Sequence, residues 1–189
     1  MTREVHAWAS DLTALYEQVW ARLVRGVGDR HAPSRHPTLA TVTTDGRPRA
    51  RTVVLRGVDP GARTLEIHTD LRSAKVEELG ASPYAALHVW DASAHLQTRI
   101  EADVTILTGP SAAQTWSRLT DMTRSSYGVM PPPGLPIYGD LDYVKTADET
   151  AFAVLHLRVS AIDALHLGAH HRRARFECET DWRGQWLAP

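Results

Sequence analysis

Two guanidinium groups bracket the stretch Arg51-Thr52-Val53-Val54-Leu55-Arg56, and seventeen residues after Arg56 the chain reads Ser73-Ala74-Lys75 at the start of a short helical pattern. Together these segments offer two Arg, one Lys and a hydroxyl beside a helix N-terminus. Guanidinium forks match phosphate oxygens two at a time, and a helix start adds free N–H groups and partial positive charge. The combined chemistry is that of a holder for a phosphate-bearing ligand. A plainer reading stands beside it: Arg51 and Arg56 as solvated strand residues, Ser73 as nothing more than a helix cap.

The elements that must position these groups are mostly strands. Val5, Trp8, Leu12, Leu15, Tyr16, Val19, Trp20 and Leu23 recur at helical spacing, and Gly26 and Gly28 end that run, so residues 1–28 are read as an N-terminal helix. From Thr38 the period changes to two. A hairpin turns at Asp45-Gly46, its return strand running from Arg49 to Leu55 with Arg51, Val53 and Leu55 on one face. Further strands are expected at Leu65 to Thr69, Tyr84 to Trp90, Leu96 to Leu107, Ala151 to Val159 and Ala174 to Glu179. Short helices are expected from Ser73 to Leu79, stopped by Gly80, and after an N-cap at Ser111. The proline-rich Met130 to Tyr138 is a surface excursion. Consecutive strands with short turns argue for a mainly β, α+β fold: an antiparallel barrel with helical additions.

Composition narrows the setting. The 189 residues fit one domain, and a formal net charge of −1 gives no general attraction to nucleic acid or an anionic membrane. The start at Met1-Thr2-Arg3-Glu4 lacks an apolar leader, no apolar run is long enough to span a membrane, and Cys178 is the single cysteine. A soluble cytoplasmic protein is expected. His166, His170 and His171 are close in sequence, but Gly168 interrupts them, and no metal site is expected.

Four segments in order resemble the pyridoxamine 5′-phosphate oxidase family of split-barrel FMN-binding flavoproteins, over residues 37–189. Arg51 to Arg56 is similar to that family's Arg-x-Val-x-Leu-Lys strand. His68-Thr69-Asp70-Leu71-Arg72-Ser73-Ala74-Lys75 is similar to its Tyr-Thr-Asn-x-x-Ser-x-Lys segment, and Gln97-Thr98-Arg99-Ile100-Glu101-Ala102 to its Gln-Val-Arg-Val-Glu-Gly strand. Arg175-Phe176 and Leu187-Ala188-Pro189 are similar to its C-terminal features. The resemblance implies a split β-barrel of about six to eight strands, FMN as cofactor, and a homodimer with FMN at its interface. It implies that Arg51, Arg56, Ser73 and Lys75 hold or flank the phosphate and ribityl chain, that Thr52, Val53, Val54, Leu55, His68 and Thr69 line the flavin, and that Gln97 hydrogen-bonds it. Leu165 and Arg175 would come from the second subunit.

The departures fall on the substrate side. Where the family's oxidases carry Arg-x-His, this chain has His171-Arg172-Arg173, so His171 and Arg173 are the candidates facing substrate. Leu165 stands where the family has a tryptophan over the flavin, Ala74 replaces a basic residue, and only Arg124, Ser125 and Ser126 loosely match the vitamin-phosphate contacts. Trp90 and Trp116 are further aromatic candidates near a flavin, Gln97 could be a plain exposed residue, and Arg175 could be paired with Glu177 or Asp181. The function implied is an FMN-binding oxidoreductase acting on a small molecule. Alternatives are a non-catalytic FMN-binding protein, a true pyridoxamine or pyridoxine 5′-phosphate oxidase, and a relative binding the deazaflavin F420.

Overall fold

The computed structural model describes residues 6–189; Val5 and the Met1 to Glu4 start lie outside the described residues. One antiparallel sheet dominates it. Its strands are β1 (Thr38–Val42), β2 (Pro48–Thr52), β3 (Leu55–Asp59), β4 (Thr64–Asp70), β5 (Tyr84–Asp91), β6 (Leu96–Thr108), β7 (Phe152–Leu167), β8 (His171–Glu177) and β9 (Gln185–Leu187). Four helices accompany it: α1 (Leu12–Gly28), α2 (Ala74–Ala81), α3 (Pro110–Ser117) and α4 (Asp121–Arg124). The path β2-β1-β5-β6-β7-β4-β3 does not close on itself, and β8 and β9 extend it from β7. This is the split-barrel class, with nine strands rather than six to eight; the extra edge is β9.

The N-terminal helix is shorter than its periodicity predicts. A 3₁₀ turn at Ala7–Ser10 precedes α1, and the Asp11 carboxylate caps α1 by accepting from the Ala14 N–H. Leu15, Val19, Trp20 and Leu23 on α1 are buried against the barrel interior, in one core with Leu39, Leu55, Leu87, Ile100, Ile162 and Phe176. Each such side chain contributes about 1.5–3 kcal/mol by leaving water.

Other boundaries move as well: β7 runs on to Leu167, and β8 spans His171–Glu177 rather than Ala174 to Glu179. The return strand from Arg49 to Leu55 is two strands: β2 ends at Thr52 and β3 begins at Leu55, with the Val53 N–H bonded to the Pro37 carbonyl between them. β2 pairs with β1 whereas β3 pairs with β4, so Val53-Val54 carries the chain from one edge of the sheet to the other. Gly80 lies inside α2 rather than ending it. The cap of α3 is Gly109, not Ser111: Gly109 takes φ 51° and Pro110 occupies the first turn, where its missing N–H costs nothing.

The longest strand serves two neighbours. Residues 152–158 of β7 pair with β4 and residues 161–167 pair with β8, while β6 runs alongside both halves. The register with β6 shifts between Glu101 and Ala102, opposite Ser160, whose hydroxyl donates to the Glu101 carbonyl at 3.1 Å. A bulge of this kind bends a strand and lets it change partners. Among the described residues no helix is long and apolar enough to cross a membrane.

Candidate functional site

The predicted phosphate residues converge where β2, the end of β4 and the start of α2 meet. The Lys75 ammonium donates to the Thr69 and Ser73 hydroxyls, each at 3.0 Å, and those two oxygens are 3.2 Å apart. Ser73 occupies the cap position of α2, yet its hydroxyl donates to the Asp70 carbonyl at 2.7 Å and makes no bond to the helix N–H groups. The side-chain cap reading of Ser73 therefore does not hold. Burial first, then the Arg51 guanidinium nearby, push the Lys75 pKa below its ordinary value. Among the described residues no carboxylate lies within ion-pair distance of Lys75.

Arg51 reaches the same corner but is partnered. Its guanidinium donates to Glu78 at 2.7 Å and to the Thr41 hydroxyl, which itself donates to Glu78. Burial opposes ionisation of Glu78, but the bonds from Thr41 and Arg51 prevail and hold its carboxyl below the usual range. Glu78 was not among the expected site residues; an acid four residues into a short helix carries no signal until the fold sets it against β1 and β2.

Arg56 lies on β3 rather than with Arg51 on a shared strand, beside His68 and Tyr127. Burial, and then the Arg56 charge, lower the His68 pKa to about 4, so its ring is neutral at neutral pH. Both His68 ring nitrogens are buried with no hydrogen-bond partner among the described residues. The ring packs edge-on against Phe152 at 5.3 Å, in a second small core with Tyr127 and Trp116. Trp116 is thus packing material, and Arg124 stacks on it while bonding Asp121. Asp70 fixes the rim: Arg72 and the Gly128 N–H outweigh the opposing effect of burial and keep its carboxyl ionised.

The remaining residues gather elsewhere, on the outer face of β6, β7 and β8. In cross-strand register Gln97 meets Leu165, which meets Arg173, while Arg99 meets Asp163, which meets Arg175. Asp163 is buried and accepts from Arg173 at 2.8 Å and from Arg99 at 3.1 Å. Arg175 grips Glu101 with two bonds of 3.0 Å and Glu177 with one of 2.6 Å, and these carboxylates, Glu101 foremost, raise its pKa. The expected surface pairing with Glu177 is thus present, and Glu101 rather than Asp181 completes it. Trp90 is 43% exposed and pairs with Gln97 in register. His171 and Arg173 line one cleft, with Arg172 between them in sequence. Among the described residues no group of three or more His, Cys, Asp or Glu side chains could hold a metal ion.

Comparison with known proteins bears on both clusters. The family model described as pyridoxamine 5′-phosphate oxidase, FMN-binding domain, matches residues 7–108, which include Arg51, Arg56, His68, Ser73, Lys75 and Gln97. A pyridoxine/pyridoxamine 5′-phosphate oxidase 2 from Arabidopsis thaliana is 31% identical over 170 residues, covering 81% of this chain and 85% of that protein. A pyridoxine/pyridoxamine 5′-phosphate oxidase from Microcystis aeruginosa is 42% identical over 82 residues, 43% of this chain but only 37% of its own length. Among solved structures, a pyridoxamine 5′-phosphate oxidase-related FMN-binding protein from Nostoc punctiforme superposes with a TM-score of 0.74 at 26% identity, covering 92% of this chain and 96% of the other. PhzG from Burkholderia lata shares the fold, with a TM-score of 0.72 at 19% identity over 97% and 96% of the two chains. By sequence over most of its length and by fold, the chain belongs to the pyridoxamine 5′-phosphate oxidase FMN-binding family, whose cofactor is FMN.

Proposed function

We propose that this chain is a single-domain FMN-dependent oxidoreductase that acts on a small organic molecule as a cytoplasmic homodimer. The observation that carries the reading is Lys75: a part-buried ammonium held by two hydroxyls, with Arg51 nearby and no carboxylate of its own. Burying a charge without a counter-ion is costly, and a phosphate dianion on this corner would relieve it. His68, beside Arg56, adds two buried ring nitrogens without a hydrogen-bond partner among the described residues.

In this reading Arg51, Ser73 and Lys75, with Thr69, hold the FMN phosphate, and Arg56 flanks it. Backbone from Thr52 through Val53 and Val54 to Leu55, together with His68 and Thr69, lines the flavin. Gln97 hydrogen-bonds the flavin, Leu165 and Arg175 approach from the second subunit, and His171 and Arg173 face the substrate. Bound FMN supplies two-electron redox chemistry; the chain's own residues bind it, orient it and set the charge around it. Glu78 is a positioning residue, since its carboxylate steadies the Arg51 guanidinium.

Purified protein is expected to take up FMN at one equivalent per chain and to acquire flavin absorption that bleaches with reductant. Failure to bind FMN in titration overturns the reading. Turnover of pyridoxamine 5′-phosphate with oxygen would assign the activity named for the Arabidopsis relative instead, and FMN binding without any turnover would leave a carrier or binding protein.

A further inference from the structure

Three imidazoles from three separate segments meet at one end of the sheet. His6 opens the Ala7–Ser10 turn, His95 lies in the turn between β5 and β6, and His166 sits near the end of β7. The His6 Nδ1 and His166 Nε2 atoms are hydrogen-bonded at 3.0 Å, and the two rings meet edge-on at 5.3 Å. The His95 ring stands 6.0 Å from that of His6, on a backbone with φ 49°, a left-handed conformation that histidine adopts more readily than most side chains. Its carbonyl accepts from the Leu167 N–H at 2.7 Å, which ties this turn to the end of β7. Trp8 completes the group, 5.1 Å from His6 and 5.4 Å from His166, with the Arg22 guanidinium 4.9 Å from its ring centre.

We propose that residues 6–10 form an acid-released strap, latched to the sheet by the His6–His166 hydrogen bond and freed when both rings carry a second proton. The bond joins one N–H to one ring lone pair. A first added proton leaves a lone pair on the other ring and makes the bond charge-assisted. A second leaves two N–H groups pointing at each other, and no bond can form whatever else surrounds them. The latched pair therefore holds one added proton at most and the released pair two, and the two rings titrate as a unit. Free histidine protonates at about 6.5. The latch is accordingly intact above that value and is lost as pH falls below it, because the released state then binds the extra proton. The charged groups facing the pair come from each neighbouring element. They are His95, Arg22 on α1 across Trp8, Asp91 on β5, bound to Arg22 at 3.2 Å, and Arg172, the cross-strand neighbour of His166 on β8. His95 gains charge in the same pH range, which adds to the repulsion. Ser10, at the far end of the turn, lines the cleft that holds His171 and Arg173, so release removes one wall of it. The latch does not depend on what fills the Ser73 corner.

The test is fluorine NMR of the full chain labelled with 5-fluorotryptophan, the Trp8 resonance being the one lost in Trp8→Phe. Between pH 7.5 and pH 5.0 that resonance is expected to move to the position of a solvent-exposed indole. Those of Trp20 and Trp116, packed in the two cores, are expected to stay in place. Below about pH 6.5 the ratio of released to latched strap should rise by up to about tenfold per unit of pH, one proton being taken up on release. His6→Gln, whose amide hydrogen-bonds without titrating, is expected to abolish the pH response of Trp8. A Trp8 resonance that does not move, or that moves equally in His6→Gln, overturns the proposal. So does one that moves only together with Trp20 and Trp116, which would report loss of the whole fold.

Discussion

Lys75 and His68 show how differently two residues of one short segment can use burial. Lys75 keeps its charge and borrows two hydroxyls; His68 gives its charge up. For Lys75→Ala we expect FMN affinity to fall by about 1.5–3 kcal/mol, the usual worth of a charged hydrogen bond, measured by quenching of FMN fluorescence on binding. Unchanged affinity would place the phosphate elsewhere. His68 makes a prediction about stability and pH. Its folded pKa of about 4 lies below the roughly 6.5 of an unfolded histidine. Above that higher value neither state holds the proton and the residue is silent. Between the two values the unfolded chain takes up a proton that the folded chain refuses, so stability falls as pH falls, by up to about 3 kcal/mol. In His68→Leu the loss of urea midpoint between pH 7 and pH 4.5 is expected to shrink; an identical loss would show that His68 protonates freely in the fold. At this scale much was legible: Ser73, Lys75 and Arg51 were marked by type and spacing and do meet, joined by Thr69, which only the family resemblance had marked. Glu78, Tyr127 and Asp163 were not, because their roles come from contacts with distant strands.

At the scale of elements, alternation and turn signals located most strands of the sheet but not where the chain changes edge. Arg51 to Arg56 alternates like a single strand, and local pattern cannot reveal that its first half pairs with β1 and its second with β4. The division has a consequence for the site, since it sends Arg51 to Glu78 and Arg56 to His68. The excursion after α4 was legible from its prolines, whereas its anchorage was not. Met130 and Val144 exchange backbone bonds of 2.9 and 2.8 Å, and Arg72 donates to the Val129 carbonyl at 3.0 Å, so the base of the loop is pinned to the rim of the Ser73 corner. Gly128 makes that base possible. Its φ is +111°, and a Cβ there would come within 2.3 Å of the Thr146 carbonyl oxygen. Gly128→Ala is expected to destabilise the protein by about 1–3 kcal/mol and to open residues 130–144 to limited proteolysis. A variant with wild-type melting temperature and cleavage pattern would show that the base relaxes without cost.

Among the described residues no hydrogen bond or ion pair joins the two clusters within one chain. Following the register along one row of the sheet, Thr52 pairs with Thr38, Thr38 with His88, His88 with Arg99, Arg99 with Asp163 and Asp163 with Arg175. Five strand-to-strand steps at about 4.8 Å each make roughly 24 Å along the curved sheet between the start of the β2–β3 crossing and Arg175. Either the curl of one chain's sheet brings both ends to the ligand, or, in the proposed homodimer, a second copy lays its β6–β8 face over the first copy's Ser73 corner. The second option is the simpler one, because a two-fold pair would present each half-site to the other twice. It makes a prediction that a one-chain site cannot satisfy. Lys75→Ala damages the phosphate side and Arg175→Ala the partner side, so each variant alone is expected to bind FMN poorly. Unfolded together and refolded as a mixture, half the pairs combine the two variants. Each mixed pair has one site with both lesions and one with neither, so about a quarter of all sites recover wild-type affinity under random pairing. Titration with FMN would read that fraction directly. No recovery, with dimers present by light scattering, would mean that each chain completes its own site and that the outer face of β6–β8 serves something other than FMN.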